Sequence, residues 1–205
     1  MIKRRDFCAL GLAGTALPVL AQPAFVEGKH YKRLRTPQPV SNRQGEVLEF
    51  FWYGCPSCYA LEPTLNQWVA RKPAAISFRR SHANIRAVSK PHQRIFFTLD
   101  AMGLVESLHA RIFAAIQLEH QPLQELPEIK AYMAKLGVDA AKFGQTYDSF
   151  SVQSRCRQAD NLQKNFETTG VPTLAVNGRF TTSPAEAGGA VQVLQVVDHL
   201  LRLPA

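Results

Sequence analysis

The segment Glu46-Val47-Leu48-Glu49-Phe50-Phe51-Trp52-Tyr53 leaves the chain few options. It is short, almost continuously apolar, and rich in β-branched and aromatic residues, the pattern of a strand buried on both faces that must therefore be paired and covered on both sides. Gly54-Cys55-Pro56-Ser57-Cys58 follows at once, and from Tyr59 to Arg71 the residues Tyr59, Leu61, Leu65, Trp68 and Val69 recur at roughly helical spacing. The two cysteines thus sit at a strand-to-helix junction. Pro63 falls within the helix and is expected to kink it, because its ring removes one backbone donor and crowds the preceding turn. Ala75 to His82 reads as a second strand, and a strand–helix–strand unit implies a right-handed parallel crossover.

The flanking segments supply what this unit needs. Phe25 to Arg43 suits a short edge strand and a connector, with turn-favouring Pro37, Pro39 and Asn42. From Asn84 to about Phe150 the pattern is helical throughout. One helix runs from Pro91 to Met102 and stops at Gly103, Leu104, Leu108, Ile112 and Ile116 mark a second, and Pro127, Tyr132 and Leu136 a third, closed by Gly137. Phe143, Tyr147 and Phe150 continue in that style. Val152, Cys156, Ala159, Leu162 and Phe166 then share one helical face, and Thr169-Gly170-Val171-Pro172 leads into a strand at Thr173-Leu174-Ala175-Val176. Asn177-Gly178 is a strong hairpin turn into Arg179-Phe180-Thr181. Ser183 and Glu186 have the spacing of a capping box, and Val191, Leu194, Val197 and Leu201 give a terminal helix that would cover the sheet.

The first residues do not belong to this globule. Lys3-Arg4-Arg5 precede an apolar stretch from Phe7 to Leu20, with a plausible cleavage site at Ala21. The stretch is shorter than the ~20 residues of a membrane span, so residues 1–21 read as a removable signal peptide. Arg4-Arg5-Asp6-Phe7 resembles a twin-arginine signal with Lys3 where Ser or Thr is usual, which leaves the Sec and twin-arginine routes both open. The chain carries 24 basic and 16 acidic residues, and 21 and 15 without the signal. This surplus is spread in small groups such as Lys32-Arg33-Arg35, Arg79-Arg80 and Arg155-Arg157, which read as solvated faces and lack the basic stripe of a nucleic-acid binder. Cys8 leaves with the signal, and Cys55, Cys58 and Cys156 remain. Three thiols cannot all pair within one chain, so a close pair plus one odd cysteine suggests reactivity over stapling. Cys156, on an apolar helix face, reads as a core cysteine, with a regulatory or intermolecular thiol as the other possibility.

Two residues between cysteines bring both sulfurs together across one helical turn, so a disulfide can open and close without the fold moving. At a helix N-terminus Cys55 also faces unsatisfied backbone N–H groups and the positive end of the helix dipole, both of which stabilise a thiolate. A stabilised thiolate is a better leaving group in disulfide exchange. Cys58, one turn further in, is expected to be buried and to act as the resolving thiol. A structural disulfide across so tight a loop would gain little from chain entropy. A zinc site would need further ligands, and His82, His92, His109 and His120 are scattered. No cofactor or metal is implied. Far downstream, Pro172 in Thr-Gly-Val-Pro-Thr could hold a cis peptide bond. Beside the sulfurs it would leave the Val171 backbone to pair with an extended substrate, whereas a plain turn proline is the alternative.

In Val47-Leu48-Glu49-Phe50-Phe51, Cys55-Pro56-Ser57-Cys58-Tyr59, Gly170-Val171-Pro172 and Val176-Asn177-Gly178 the chain resembles, in type and order, the periplasmic thiol:disulfide interchange protein DsbA family of the thioredoxin-fold superfamily. The resemblance implies an α/β thioredoxin-like fold with a helical-domain insertion. Residues 22–83 would form its first part, 84–150 the inserted helical domain and 151–205 its second part. It also implies that Cys55 is the nucleophile, Cys58 its partner and Pro172 the cis-proline of a substrate groove shared with Val171. Pro56 and Ser57 would be the dipeptide that tunes Cys55. Glu49 would be a buried acid exchanging a proton with Cys58, against the plainer reading of a rim carboxylate paired with a base. Glu62 matches a family acid but suits an exposed helix position equally well.

The implied activity is a dithiol oxidase that donates its disulfide to reduced, unfolded exported proteins in the periplasm. A quinone-linked membrane reoxidase of the DsbB type would restore it, and the protein would act as a monomer without nucleic acid. The best-known family members carry His where Ser57 stands, and a serine offers only a hydroxyl hydrogen bond. A disulfide isomerase or reductase of the same fold therefore remains an alternative, as does a peptide-holding chaperone with a structural disulfide.

Overall fold

The computed structural model describes residues 25–204, so the expected signal peptide at 1–21 lies outside the described residues. Its strands are β1 (Lys32–Arg33), β2 (Glu46–Phe51), β3 (Ser77–His82), β4 (Thr173–Val176) and β5 (Phe180–Thr182). They form one sheet in the order β1-β5-β4-β2-β3. β2 pairs parallel with β3 and antiparallel with β4, and every one of its residues is buried. The helix α1 (Pro56–Arg71) makes the crossover from β2 to β3 and continues through Pro63.

Alternation along β2 divides the core. Leu48 and Phe50 point to one face, where they meet Phe166 at the end of α6 (Phe150–Asn165). Val47 points to the other face, among Leu61, Leu65 and Trp68 of α1 and Val193 and Val197 of the last helix. On that same face Phe51 joins a third cluster, built with helices from the segment between β3 and α6: α2 (Ser89–Ala101), α3 (Val105–Gln117), α4 (Leu126–Lys135) and α5 (Ala140–Tyr147). Ile95, Phe96, Ile112, Phe113, Met133 and Phe143 make that cluster, which also takes in both cysteines of the Cys-x-x-Cys segment. Glu49 lies between Val47 and Phe51, so an acid sits where two apolar clusters meet beneath α1.

Local chemistry accounts for the element ends. The Asp139 carboxylate accepts from the N–H groups of Ala141 and Lys142 at the start of α5, and Ser149 Oγ accepts from Val152 N at the start of α6. Ser183 caps α7 (Pro184–Ala187) by accepting from Glu186 N and donating to the Glu186 carboxylate. α8 (Ala190–Arg202) closes the sheet as expected, and Trp68 Nε1 donates to Asp198 Oδ1 at 2.8 Å to fasten α1 to it. Cys156 departs from the expected core position. The deep positions of α6 are Val152 and Ala159, and Cys156 is half-buried to one side of them.

The hairpin between β4 and β5 has positive φ at both Asn177 (53°) and Gly178 (63°), as a type I′ turn requires. The Asn177 side chain accepts from Glu46 N and its backbone N–H donates to Glu46 O, so the turn also anchors the start of β2. A Cβ at Gly178 would overlap the Gln38 carbonyl. Gly178→Ala is therefore expected to destabilise the protein by at least about 1 kcal/mol, read as a lower urea midpoint with an unchanged slope.

Candidate active site

Cys55 is the N-cap of α1 and Pro56 occupies the first turn, where a missing N–H costs nothing. Gly54 lies against the indole of Trp52, which a Cβ there would strike, and the Cys55 N–H donates to Trp52 O at 2.9 Å. These contacts aim Cys55 Sγ at two backbone groups. It accepts from Cys58 N at 3.4 Å, and as a thiol it donates to Val171 O at 3.4 Å. The Val171–Pro172 peptide is cis. The Val171 carbonyl expected to stand free is thus engaged by Cys55 while that residue carries its hydrogen.

Both cysteines are free thiols, and their surroundings drive them apart. The Cys58 thiol and then the Cys58 and Ser57 N–H groups stabilise the Cys55 thiolate against partial burial, lowering its pKa to about 6. Cys58 is fully enclosed, and burial followed by the neighbouring Cys55 pushes its thiol far up. Ser57 opens onto a groove of about 920 Å³, whose walls include Gly170, Val171, Pro172, Lys32 and Glu186.

Glu49 is fully buried and not at a rim, yet it is paired with a base as the plainer of the two sequence readings had it. It faces Arg80 across the register of β2 and β3, with Arg80 Nε donating to Glu49 Oε2 at 2.9 Å. Burial raises its pKa to about 8 despite Arg80, and ionised Glu62 adds to the rise. Glu62 is 7% exposed, so of its two readings from the sequence the exposed helix position is excluded. Arg80 Nη2 donates to Glu62 at 3.4 Å and to Asn66 Oδ1 at 2.9 Å. His109, from α3, places Nε2 3.4 Å from Glu62 Oε1 and Nδ1 3.0 Å from the Tyr53 hydroxyl.

Arg80 and His109 were not singled out from the sequence. Arg80 belonged to a pair read as solvated, yet its side chain is 12% exposed, while Arg79 turns to Glu46 on the other face of the sheet. The available signal was the alternation Phe78, Arg80, His82, which puts a cation on the inward face of a strand. The partner of that cation depends on a register that spacing alone does not give.

A family model described as DSBA-like thioredoxin domain matches residues 46–200. The thiol:disulfide interchange protein DsbA of Pseudomonas aeruginosa is 39% identical over 178 residues, spanning 86% of this chain and 84% of that protein. That of Burkholderia cepacia is 40% identical over 198 residues, spanning 95% and 92%. A crystal structure of Pseudomonas aeruginosa DsbA superposes with a TM-score of 0.83 at 39% identity, covering 86% of this chain and 93% of that one.

Two titrations test this electrostatic picture. Thiolate absorbance of the reduced protein should rise with a midpoint about pH 6 and vanish from that range in Cys55→Ser, while Cys58 remains a thiol throughout. For Glu49 the sign follows from linkage. Between the ordinary carboxyl range and about pH 8 the folded state keeps a proton that the unfolded state has lost. The contribution of Glu49 to stability therefore falls as pH rises through that window, and it is read in the oxidised protein, where Cys55 does not titrate. In urea denaturation series, Glu49→Gln should flatten this decline between pH 5 and 8, and an unchanged slope would show that Glu49 ionises normally.

Proposed function

Since the chain belongs to the DSBA-like thioredoxin domain family, we propose that it is a thiol:disulfide oxidoreductase that donates a Cys55–Cys58 disulfide to folding exported proteins. The observation that carries this reading is the placement of two free thiols one helical turn apart, Cys55 capping α1 and accepting from Cys58 N, and Cys58 fully enclosed. Cys55 is stabilised as a thiolate and Cys58 is held as a thiol. In the oxidised protein a substrate thiolate attacks Cys55 Sγ, the S–S bond breaks, and its electron pair passes to Cys58 Sγ. Cys58 cannot remain a buried anion, so it takes a proton, and Glu49 is the nearby acid suited to give it. A second substrate thiolate then attacks the substrate sulfur of the mixed disulfide and expels the Cys55 thiolate. Glu49 regains its proton from solvent, so the substrate dithiol has lost two electrons and two protons, the electrons and one proton now held by the protein pair as thiolate and thiol and the other proton released to solvent.

The groove beside Ser57, Val171 and Pro172 suits an extended chain. Once Cys55 has lost its hydrogen to disulfide formation, the Val171 carbonyl is released to accept from a substrate backbone. Pro56 and Ser57 act as tuning residues, since both lie in the first turn of α1, whose N–H groups face Cys55. The clients are reduced, unfolded exported proteins in the periplasm, and reoxidation falls to a quinone-linked membrane partner of the DsbB type. The protein works as a monomer without nucleic acid. No helix among the described residues is long and apolar enough to cross a membrane.

Equilibration with glutathione, followed by the rate of oxidising a dithiol peptide, tests the assignment. Rapid peptide oxidation that is lost in Cys55→Ser supports it. A strongly reducing equilibrium would assign the same site to reduction or isomerisation, and activity retained in Cys55→Ser would remove the mechanism. Ser57→His, which adds an imidazolium beside the thiolate, should shift the equilibrium toward the reduced protein by about tenfold or more, each pKa unit on Cys55 being worth a factor of ten.

A further inference from the structure

We infer that His109, on α3 and remote from the cysteines in sequence, is a positioning residue for the exchange reaction: it holds Glu62 ionised against Arg80, and ionised Glu62 keeps the proton on Glu49. The inference rests on the proposed role of Glu49 as the acid for Cys58.

The cluster contains one guanidinium and two buried carboxylates, and by distance Arg80 favours Glu49. Its Nε is 2.9 Å from Glu49 Oε2, whereas its Nη2 is 3.4 Å from both oxygens of Glu62. If Arg80 alone decided, Glu49 would be the ionised member. The remaining donors reverse that order. Glu49 Oε1 is buried without a hydrogen-bond partner, while Glu62 receives the Asn66 amide at 3.1 Å and has His109 Nε2, itself buried and without a formed hydrogen bond, 3.4 Å from its Oε1. Burial pushes Glu62 up, but His109 and Arg80 outweigh it and hold the carboxyl below its usual range. Two anions against one guanidinium in a buried site would leave an uncompensated charge, so the proton stays on Glu49.

The ring of His109 is set for this task. Tyr53 is fully buried and its phenol is pushed well above the ordinary range, so it remains an O–H donor, and it lies 3.0 Å from Nδ1. With Nδ1 accepting, the single ring hydrogen of the neutral imidazole sits on Nε2, toward Glu62. The opposite tautomer would set a lone pair against a carboxylate. Phe51 and Phe113 pack edge-on against the ring, each with centroids at 5.1 Å. The charged or titratable groups facing it are Tyr53 after β2, Glu62 on α1, Arg80 and His82 on β3, and Glu106 on its own helix. From α2 it meets the ring of Phe96. Burial holds the imidazole neutral against the pull of Glu62.

The Glu49 carboxyl, followed by carbon NMR against pH in the oxidised protein, provides the test. His109→Phe fills the aromatic site without a donor and should lower the Glu49 midpoint by about one pH unit, a tenfold change in proton affinity. His109→Gln, which restores an N–H, should keep it within a few tenths. Glu62→Gln should lower it by at least as much, and adding His109→Phe to Glu62→Gln should change nothing further, because the histidine acts through that carboxylate. An unmoved midpoint in His109→Phe, or an equal shift with and without Glu62, overturns the inference. Nitrogen NMR of the wild-type ring gives a check that needs no variant. A hydrogen on Nε2 is expected, and one on Nδ1 overturns it as well. The Glu49 reading stands or falls separately, since an exchange rate and pH profile left unchanged by Glu49→Gln would remove that role whatever the midpoint does.

Discussion

A strand with no exposed residue governs this molecule. β2 must be hydrogen-bonded along both edges and covered on both faces, and the rest of the chain supplies those four surfaces. β3 and β4 take its edges. α1 and α8 cover one face, Phe166 of α6 reaches the other, and the helices after β3 enclose its C-terminal end. The strand is rigid because it is surrounded, and the turn that leaves it carries Cys55 to the start of α1.

Rigidity matters because the useful field at that point is local and directional. Backbone N–H groups of the first helical turn act on Cys55 only while its sulfur stays in line with them, and the Trp52 ring against Gly54 and the Cys55 N–H bond to Trp52 O help to hold it there. Cys58, three residues on, turns into the apolar cluster formed with the helical segment. The same turn of helix thus stabilises one anion and disfavours the other, so two thiols three residues apart differ in character.

The buried charges beneath the helix set a second condition. Removing Glu49 from water raises its pKa, and Arg80 moderates the rise without cancelling it because Glu62 draws on the same guanidinium. Glu62 depends in turn on a histidine supplied by α3. The helices after β3 therefore do more than cover the end of β2, since they contribute a donor to the acid chemistry at its centre.

Much of this was legible in the sequence because it is encoded locally. The apolar run at 46–53, the cysteine spacing, the Asn177-Gly178 turn and the helical periodicities each express the preferences of neighbouring residues, and they specified the strands, the helices and the strand-to-helix position of Cys55 and Cys58. Sequence alone left Glu49 divided between two readings, favoured a core site for Cys156, and passed over Arg80 and His109. Those outcomes depend on which strand residues fall opposite one another and on how a helix rotates onto the sheet. The tertiary structure decided them, because electrostatic partnership is a matter of distance through space and burial, and Glu49, Glu62, Arg80 and His109 come together only when three separate elements pack around β2.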